Sequence, residues 1–160
     1  MERIASFQVD HVRLNRGLYV SRIDEINGNY LTSFDIRMKL PNREPVINIA
    51  ELHTMEHLGA TFLRNHPIWK EQIVYFGPMG CRTGFYLLMR DAVTGQQAID
   101  LARESFKFIA EYEGDIPGAA KSECGNSEEH DLEAARAVAI DMVEVLKDWN
   151  EEKMDYDYEG

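Results

Sequence analysis

The chain is poor in cysteine. Of its 160 residues only Cys81 and Cys124 carry a thiol. Two thiols exclude a disulfide-stapled scaffold, and in a reducing compartment such a pair is more often metal-binding or catalytic than cross-linked. Positive charge is also scarce, with 17 Lys and Arg against 28 Asp and Glu and a net charge of −11. That balance offers no phosphate-neutralising surface, so nucleic acid is not an expected partner, and an anionic membrane is disfavoured too. Long apolar runs are missing. Phe85-Tyr86-Leu87-Leu88-Met89 is among the longest and falls far short of a bilayer span. Nothing behind Met1-Glu2-Arg3-Ile4-Ala5 has the apolar stretch of a signal peptide, so the expected location is the cytoplasm.

What is present suits one domain with a core of its own. Ile4 to His11 alternates weakly and predicts a short strand or extended arm. Leu18 to Ile23 is rich in β-branched and aromatic residues, Asn27-Gly28 marks a turn, and Tyr30 to Leu40 alternates again. In that second run Thr32, Phe34, Ile36 and Met38 form the apolar parity, with Arg37 on the opposite face. Asn48 with Glu51 opens a helix that Pro67 ends. Strands are expected at Gln72 to Phe76 and Gly84 to Arg90, a helix after Thr94, and a loop over Glu111 to Ser127. A last helix begins near Ser127 or Asp131. No repeat or linker divides the chain, which predicts one α+β domain over residues 1–150, an antiparallel β-sheet covered by α-helices. Residues 151–160 form an acidic tail that is expected to fray from Asp155 onward.

The strongest chemical signal is His53-Thr54-Met55-Glu56-His57. On a helix, residues four apart share a face, so His53 and His57 can share one ion with Glu56 close enough to handle a proton. The order H-x-x-E-H is the inverted zinc-peptidase pattern, and a peptidase of that kind would take a downstream carboxylate such as Glu133 as third ligand. Cys124 is also downstream, beside Gly125 in a charged loop, and its thiolate suits iron, cobalt or zinc. A His, His, Cys set would leave a position open for water or substrate, whereas a purely structural site would not. Cys81 sits in a Pro-Gly-rich turn, where a rigidly held thiol could act as an acid/base group or serve only structure. His66 and His130 read as structural or surface residues. Gly77, Gly80 and Gly84 match no phosphate-binding loop.

Five motifs in order, Ser6-Phe7-x-Val9-Asp10-His11, Phe34-Asp35-Ile36-Arg37, His53-Thr54-x-Glu56-His57, Pro78-Met79-Gly80-Cys81-Arg82-Thr83-Gly84 and Cys124-Gly125, span almost the whole chain. Together they resemble the S-ribosylhomocysteine lyase (LuxS) family. The resemblance implies a homodimeric α+β enzyme with its active sites at the subunit interface. It implies cleavage of the thioether of S-ribosyl-L-homocysteine to L-homocysteine and 4,5-dihydroxy-2,3-pentanedione, the precursor of autoinducer-2. It further implies one divalent metal per subunit, ferrous iron in the family with zinc or cobalt as substitutes. His53, His57 and Cys124 take the ligand positions, Glu56 and Cys81 the acid/base positions, and Ser6, His11 and Arg37 the substrate-binding positions. One stretch departs from the family pattern: Tyr75-Phe76-Gly77 stands where many members have Asp-x-Ser.

Overall fold

The structure, a computed structural model, describes residues 1–156. Two hairpins make its sheet. Strands β1 (Gly17–Ile26) and β2 (Asn29–Arg37) meet at Asn27 and Gly28, whose φ of 53° and 79° are the pair of positive values that a two-residue turn between right-twisted strands requires. Strands β3 (Ile73–Pro78) and β4 (Gly84–Arg90) follow helix α1 (Ile49–Arg64), and β4 pairs with β2. All pairings are antiparallel and the order is β1-β2-β4-β3. Helices α2 (Gly95–Glu111) and α3 (Leu132–Lys147) complete the chain order, so the α+β architecture is the one expected.

Side-chain alternation explains why the helices take one face. Phe34 and Ile36 of β2, with Phe85, Leu87 and Met89 of β4, are at most 1% exposed and meet Met55 and Leu58 of α1, Ile99 and Phe106 of α2, and Met142 of α3. Full burial of such side chains is worth about 1.5–3 kcal/mol each. The helices start where the caps predict. Asn48 and Glu51 form a capping box at α1, Thr94 and Gln97 form one at α2, and Asp131 accepts from Ala134 N–H at α3.

The opposite parity of β2 differs from the half-buried face its sequence predicts. Asp35 and Arg37 are only 1% and 3% exposed, covered by the N-terminal segment and by Tyr156. Two further differences follow from this covering layer. Residues Ala5–Phe7 form a 3-10 turn instead of a strand, because Phe7 and Gln8 N–H return to Ile4 and Ala5 carbonyls and Asp10 accepts from Val12 N–H. The chain is still packed at Tyr156, past the expected fraying point at Asp155: Met154 and Tyr156 are buried. Residues 157–160 of the acidic tail lie outside the described residues. No described helix is long and apolar enough to cross a membrane.

Candidate metal centre and thiol pocket

Helix α1 presents His53 and His57 on the face turned away from Met55 and Leu58, toward the segment between α2 and α3. Each imidazole is fixed by a carbonyl of that segment. His53 Nδ1 lies 2.9 Å from Glu129 O and His57 Nδ1 2.8 Å from Pro117 O. A carbonyl only accepts, so both Nδ1 atoms carry the proton and both Nε2 lone pairs point inward. Gly118, at φ 71°, lets this segment come close, since a Cβ there would stand 3.3 Å from His57 Nδ1.

The inward atoms have the spacing of a coordination sphere. His53 Nε2 and His57 Nε2 are 3.1 Å apart, and Cys124 Sγ lies 3.4 and 3.8 Å from them. Metal–nitrogen bonds of about 2.0–2.1 Å and a metal–sulfur bond of about 2.3 Å in a tetrahedron give edges of roughly 3.3 Å and roughly 3.6 Å. Two facing lone pairs at 3.1 Å repel unless a cation lies between them. The residues present therefore fit a metal ion. Asn126 N–H points at Cys124 Sγ from 3.4 Å, a contact that favours a sulfur carrying negative charge.

His130 joins this cluster, with a ring nitrogen within 4.8 Å of the other three ligand atoms. Its ring stacks on His53 at 4.0 Å, and its Nδ1 lies 3.0 Å from Thr54 Oγ1. Thr54 Oγ1 also accepts from Asp131 N–H and keeps a second lone pair and its own hydrogen for the contact with His130 Nδ1. His130 Nε2 is buried and has no hydrogen-bond partner among the described residues. Burial foremost, then the neighbouring His53 and His57, lowers the His130 pKa and keeps the ring neutral. His130, expected as a structural or surface residue, is brought to the cluster by the α3 cap beside Thr54. His66 is structural, receiving Ile68 and Trp69 N–H and meeting Glu104. Glu56 is half-buried on α1, one turn from His53.

A second cluster lies on the sheet face opposite the helices. Ser6, His11, Arg37 and Cys81 line one cavity of 280 Å³ with Met79, Tyr86 and Tyr156. Arg37 reaches Asp35 through both Nε (3.1 Å) and Nη2 (2.6 Å), a bidentate pair, and donates from Nη1 to Thr83 Oγ1 at 2.7 Å. Burial works against the guanidinium charge, but Asp35 outweighs it, and the Arg37 pKa is raised. Thr83 Oγ1 in turn lies 3.1 Å from Cys81 Sγ, and Cys81 itself is exposed at the cavity mouth. The β3–β4 turn holds the thiol through Arg82 N–H to Met79 O and Met79 N–H to Gly84 O. Gly84 is required there, because a Cβ would stand 2.0 Å from Ile36 O. The departing triplet is self-consistent: a Cβ on Gly77 would meet the Tyr75 hydroxyl at 1.9 Å, so the tyrosine occupies the space that a side chain at 77 would need.

A helix-borne His pair and a loop cysteine beside an antiparallel sheet define an α+β protein with a candidate metal site. The family model for S-ribosylhomocysteinase (LuxS) matches residues 4–153, and the chain belongs to that family. The S-ribosylhomocysteine lyase of Phocaeicola vulgatus is 56% identical over 136 residues, covering 85% of this chain and 84% of that protein. Those of Porphyromonas gingivalis and Clostridium acetobutylicum are 52% and 50% identical, each covering 98% of this chain and 99% of the relative.

Proposed function

We propose that the chain is a metal-dependent S-ribosylhomocysteine lyase that releases L-homocysteine and 4,5-dihydroxy-2,3-pentanedione, the precursor of autoinducer-2. The observation that carries this reading is the tetrahedral spacing of His53, His57 and Cys124 in a chain matched to the family over residues 4–153. These three side chains are the ligands, and ferrous iron is the ion they hold, one per subunit, with zinc or cobalt able to replace it. We place His130 as a support of this set and not as a fourth ligand, because its ring stacks on His53 and its Nδ1 is tied to Thr54.

The thioether cannot leave as a thiolate until a carbonyl stands two carbons away and acidifies the hydrogen between them. The aldehyde of the open-chain ribose must therefore migrate along the sugar before β-elimination. An ion held by His53, His57 and Cys124 would supply Lewis-acid polarisation to the sugar. Proton movements between neighbouring carbons fall to Cys81 and Glu56, and Ser6, His11 and Arg37 orient the substrate in the cavity they line. The catalytic unit spans residues 1–150 together with the continuation through Tyr156, which packs back onto the sheet, and works in the cytoplasm, where thiols stay reduced.

The working form is a homodimer with its active sites at the interface. Two features support this. The metal cluster and the Cys81 cavity share no residue and lie on opposite faces of the sheet, so a second copy is needed to bring a thiol to an ion. Around the cavity Ile4, Phe7 and Tyr75 are 57%, 65% and 48% exposed, an apolar surface suited to an identical partner. Incubating the metal-loaded protein with S-ribosylhomocysteine and assaying free thiol tests the function. No thiol release from protein loaded with ferrous iron would overturn it.

A further inference from the structure

The family match ends at Lys153, yet the chain continues into structure. Met154 and Tyr156 are 3% and 8% exposed. Val20 N–H donates to Met154 O at 2.9 Å, so the segment after Lys153 runs along β1 like a short strap. Glu151, one turn earlier, accepts from Gln96 N–H at the start of α2 and anchors the strap from below. The Tyr156 ring stacks on Tyr19 at 5.1 Å, and Tyr19 meets Trp149 edge-on at 5.4 Å.

The polar end of Tyr156 lands on the substrate cavity. Its hydroxyl donates to Asp35 Oδ2 at 2.6 Å, the oxygen that also accepts from Arg37 Nη2. The contacts then run without a break from Asp35 to Arg37, from Arg37 to Thr83, and from Thr83 to Cys81. Tyr156 itself lines the cavity that Ser6, His11 and Cys81 share. A buried carboxylate has more lone pairs than one guanidinium can satisfy, and an unfilled one draws in water or turns toward another donor. The phenol fills that place on Asp35 and leaves the carboxylate a single orientation. Arg37, bound to both carboxylate oxygens, follows it.

We propose that Tyr156 is a positioning residue: the strap Met154 to Tyr156 docks a phenol on Asp35 and thereby fixes the Arg37 guanidinium in the wall of the substrate cavity beside Cys81. This rests on the reading of that cavity as the substrate site. It assigns a role to residues beyond the last one that the family model matches.

The test uses the full-length, metal-loaded chain and Tyr156→Phe, which keeps the stack on Tyr19 and removes only the hydroxyl. Three quantities are measured: KM and kcat for S-ribosylhomocysteine, the melting temperature, and hydrogen exchange of the Arg37 Nε–H by NMR, assigned with Arg37→Lys. Tyr156→Phe is expected to raise KM about tenfold with kcat within about twofold, the pattern of lost uniform binding. The Arg37 Nε–H is expected to exchange about tenfold faster. A chain ending at Lys153 should show both changes at least as strongly. Both must occur together. Raised KM with unchanged exchange overturns the proposal, since the phenol would then touch substrate instead of acting through Arg37. Faster exchange with unchanged KM, or a lower melting temperature and kcat alone, overturns it as a merely structural contact. If the unaltered chain releases no thiol, the lyase reading falls, and the exchange rates alone then decide whether Tyr156 fixes Arg37.

Discussion

His130 lies flat against His53, ring centroids 4.0 Å apart and planes 21° from parallel. The stack and the His53 Nδ1 contact to Glu129 O hold that imidazole from two sides, with Thr54 behind His130 fixing the second ring. His130→Ala should therefore loosen the centre without emptying it. We expect one metal per chain to remain, with affinity about 10- to 100-fold weaker, the usual cost of an outer supporting group. Cys124→Ala and His57→Ala should lose the ion outright. Metal content under chelator competition separates the cases, and a metal-free His130→Ala would make His130 a ligand after all.

Cys81 and Glu56 stand apart from the three inward donor atoms, so replacing them leaves the coordination set untouched. Cys81→Ala and Glu56→Gln should keep full metal content and melt within a few degrees of the unaltered chain. Turnover should fall about 10²–10⁴-fold in each, the range for a positioned acid or base. Substantial activity in either variant would remove it from the proton-transfer role.

The local signals were legible because each has a local cause. Asn27-Gly28 makes its turn through positive φ, Asn48 and Glu51 cap α1 through their own side chains, and the alternation around Phe34 and Ile36 places the core. What escaped depends on residues distant in sequence. His130 reaches the cluster through Thr54, 76 residues away, and Tyr156 reaches Asp35 across 121. The tail looks frayed in sequence because Asp155, Asp157 and Glu159 surround its tyrosines. Tyr19 and Asp35 supply the ring and the acceptor that hold Tyr156 down. Ile4 to His11 departs from an extended arm for the opposite reason: weak alternation cannot compete with local turns such as the one the Asp10 carboxylate makes.

Two dead variants should revive each other if the active site is built across an interface. Cys81→Ala retains the ligands and Cys124→Ala retains the thiol at position 81, so a mixed dimer contains one complete site. Random reassortment after mild unfolding and refolding should restore about a quarter of the unaltered activity. The thiol-release assay on the mixture, against each variant refolded alone, reads this out. No recovery, with mixed dimers present by native mass spectrometry, would place both halves of the site in one chain.

The tyrosine layer also predicts an alkaline limit. Burial, then the nearby Asp35, pushes the Tyr19 hydroxyl up to about 12, and burial followed by Asp35 raises Tyr156 in the same direction. A hydroxyl whose folded pKa lies above its unfolded value of 10.0 binds its proton more tightly in the folded state. For Tyr19 that stability is fully present below pH 10 and is lost as pH climbs through about 12, and the Tyr156 hydroxyl, which donates to Asp35, adds stability of the same sign. Absorbance at 295 nm should show three tyrosines ionising late, Tyr19, Tyr156 and Tyr86, whose hydroxyl burial and then Asp35 also raise, together with loss of near-ultraviolet dichroism. In Tyr156→Phe one late tyrosine should disappear from that titration, because only one phenol then remains between Trp149 and Asp35. If every tyrosine titrates near 10 with the fold intact, the layer is open to water and cannot hold Arg37 in place.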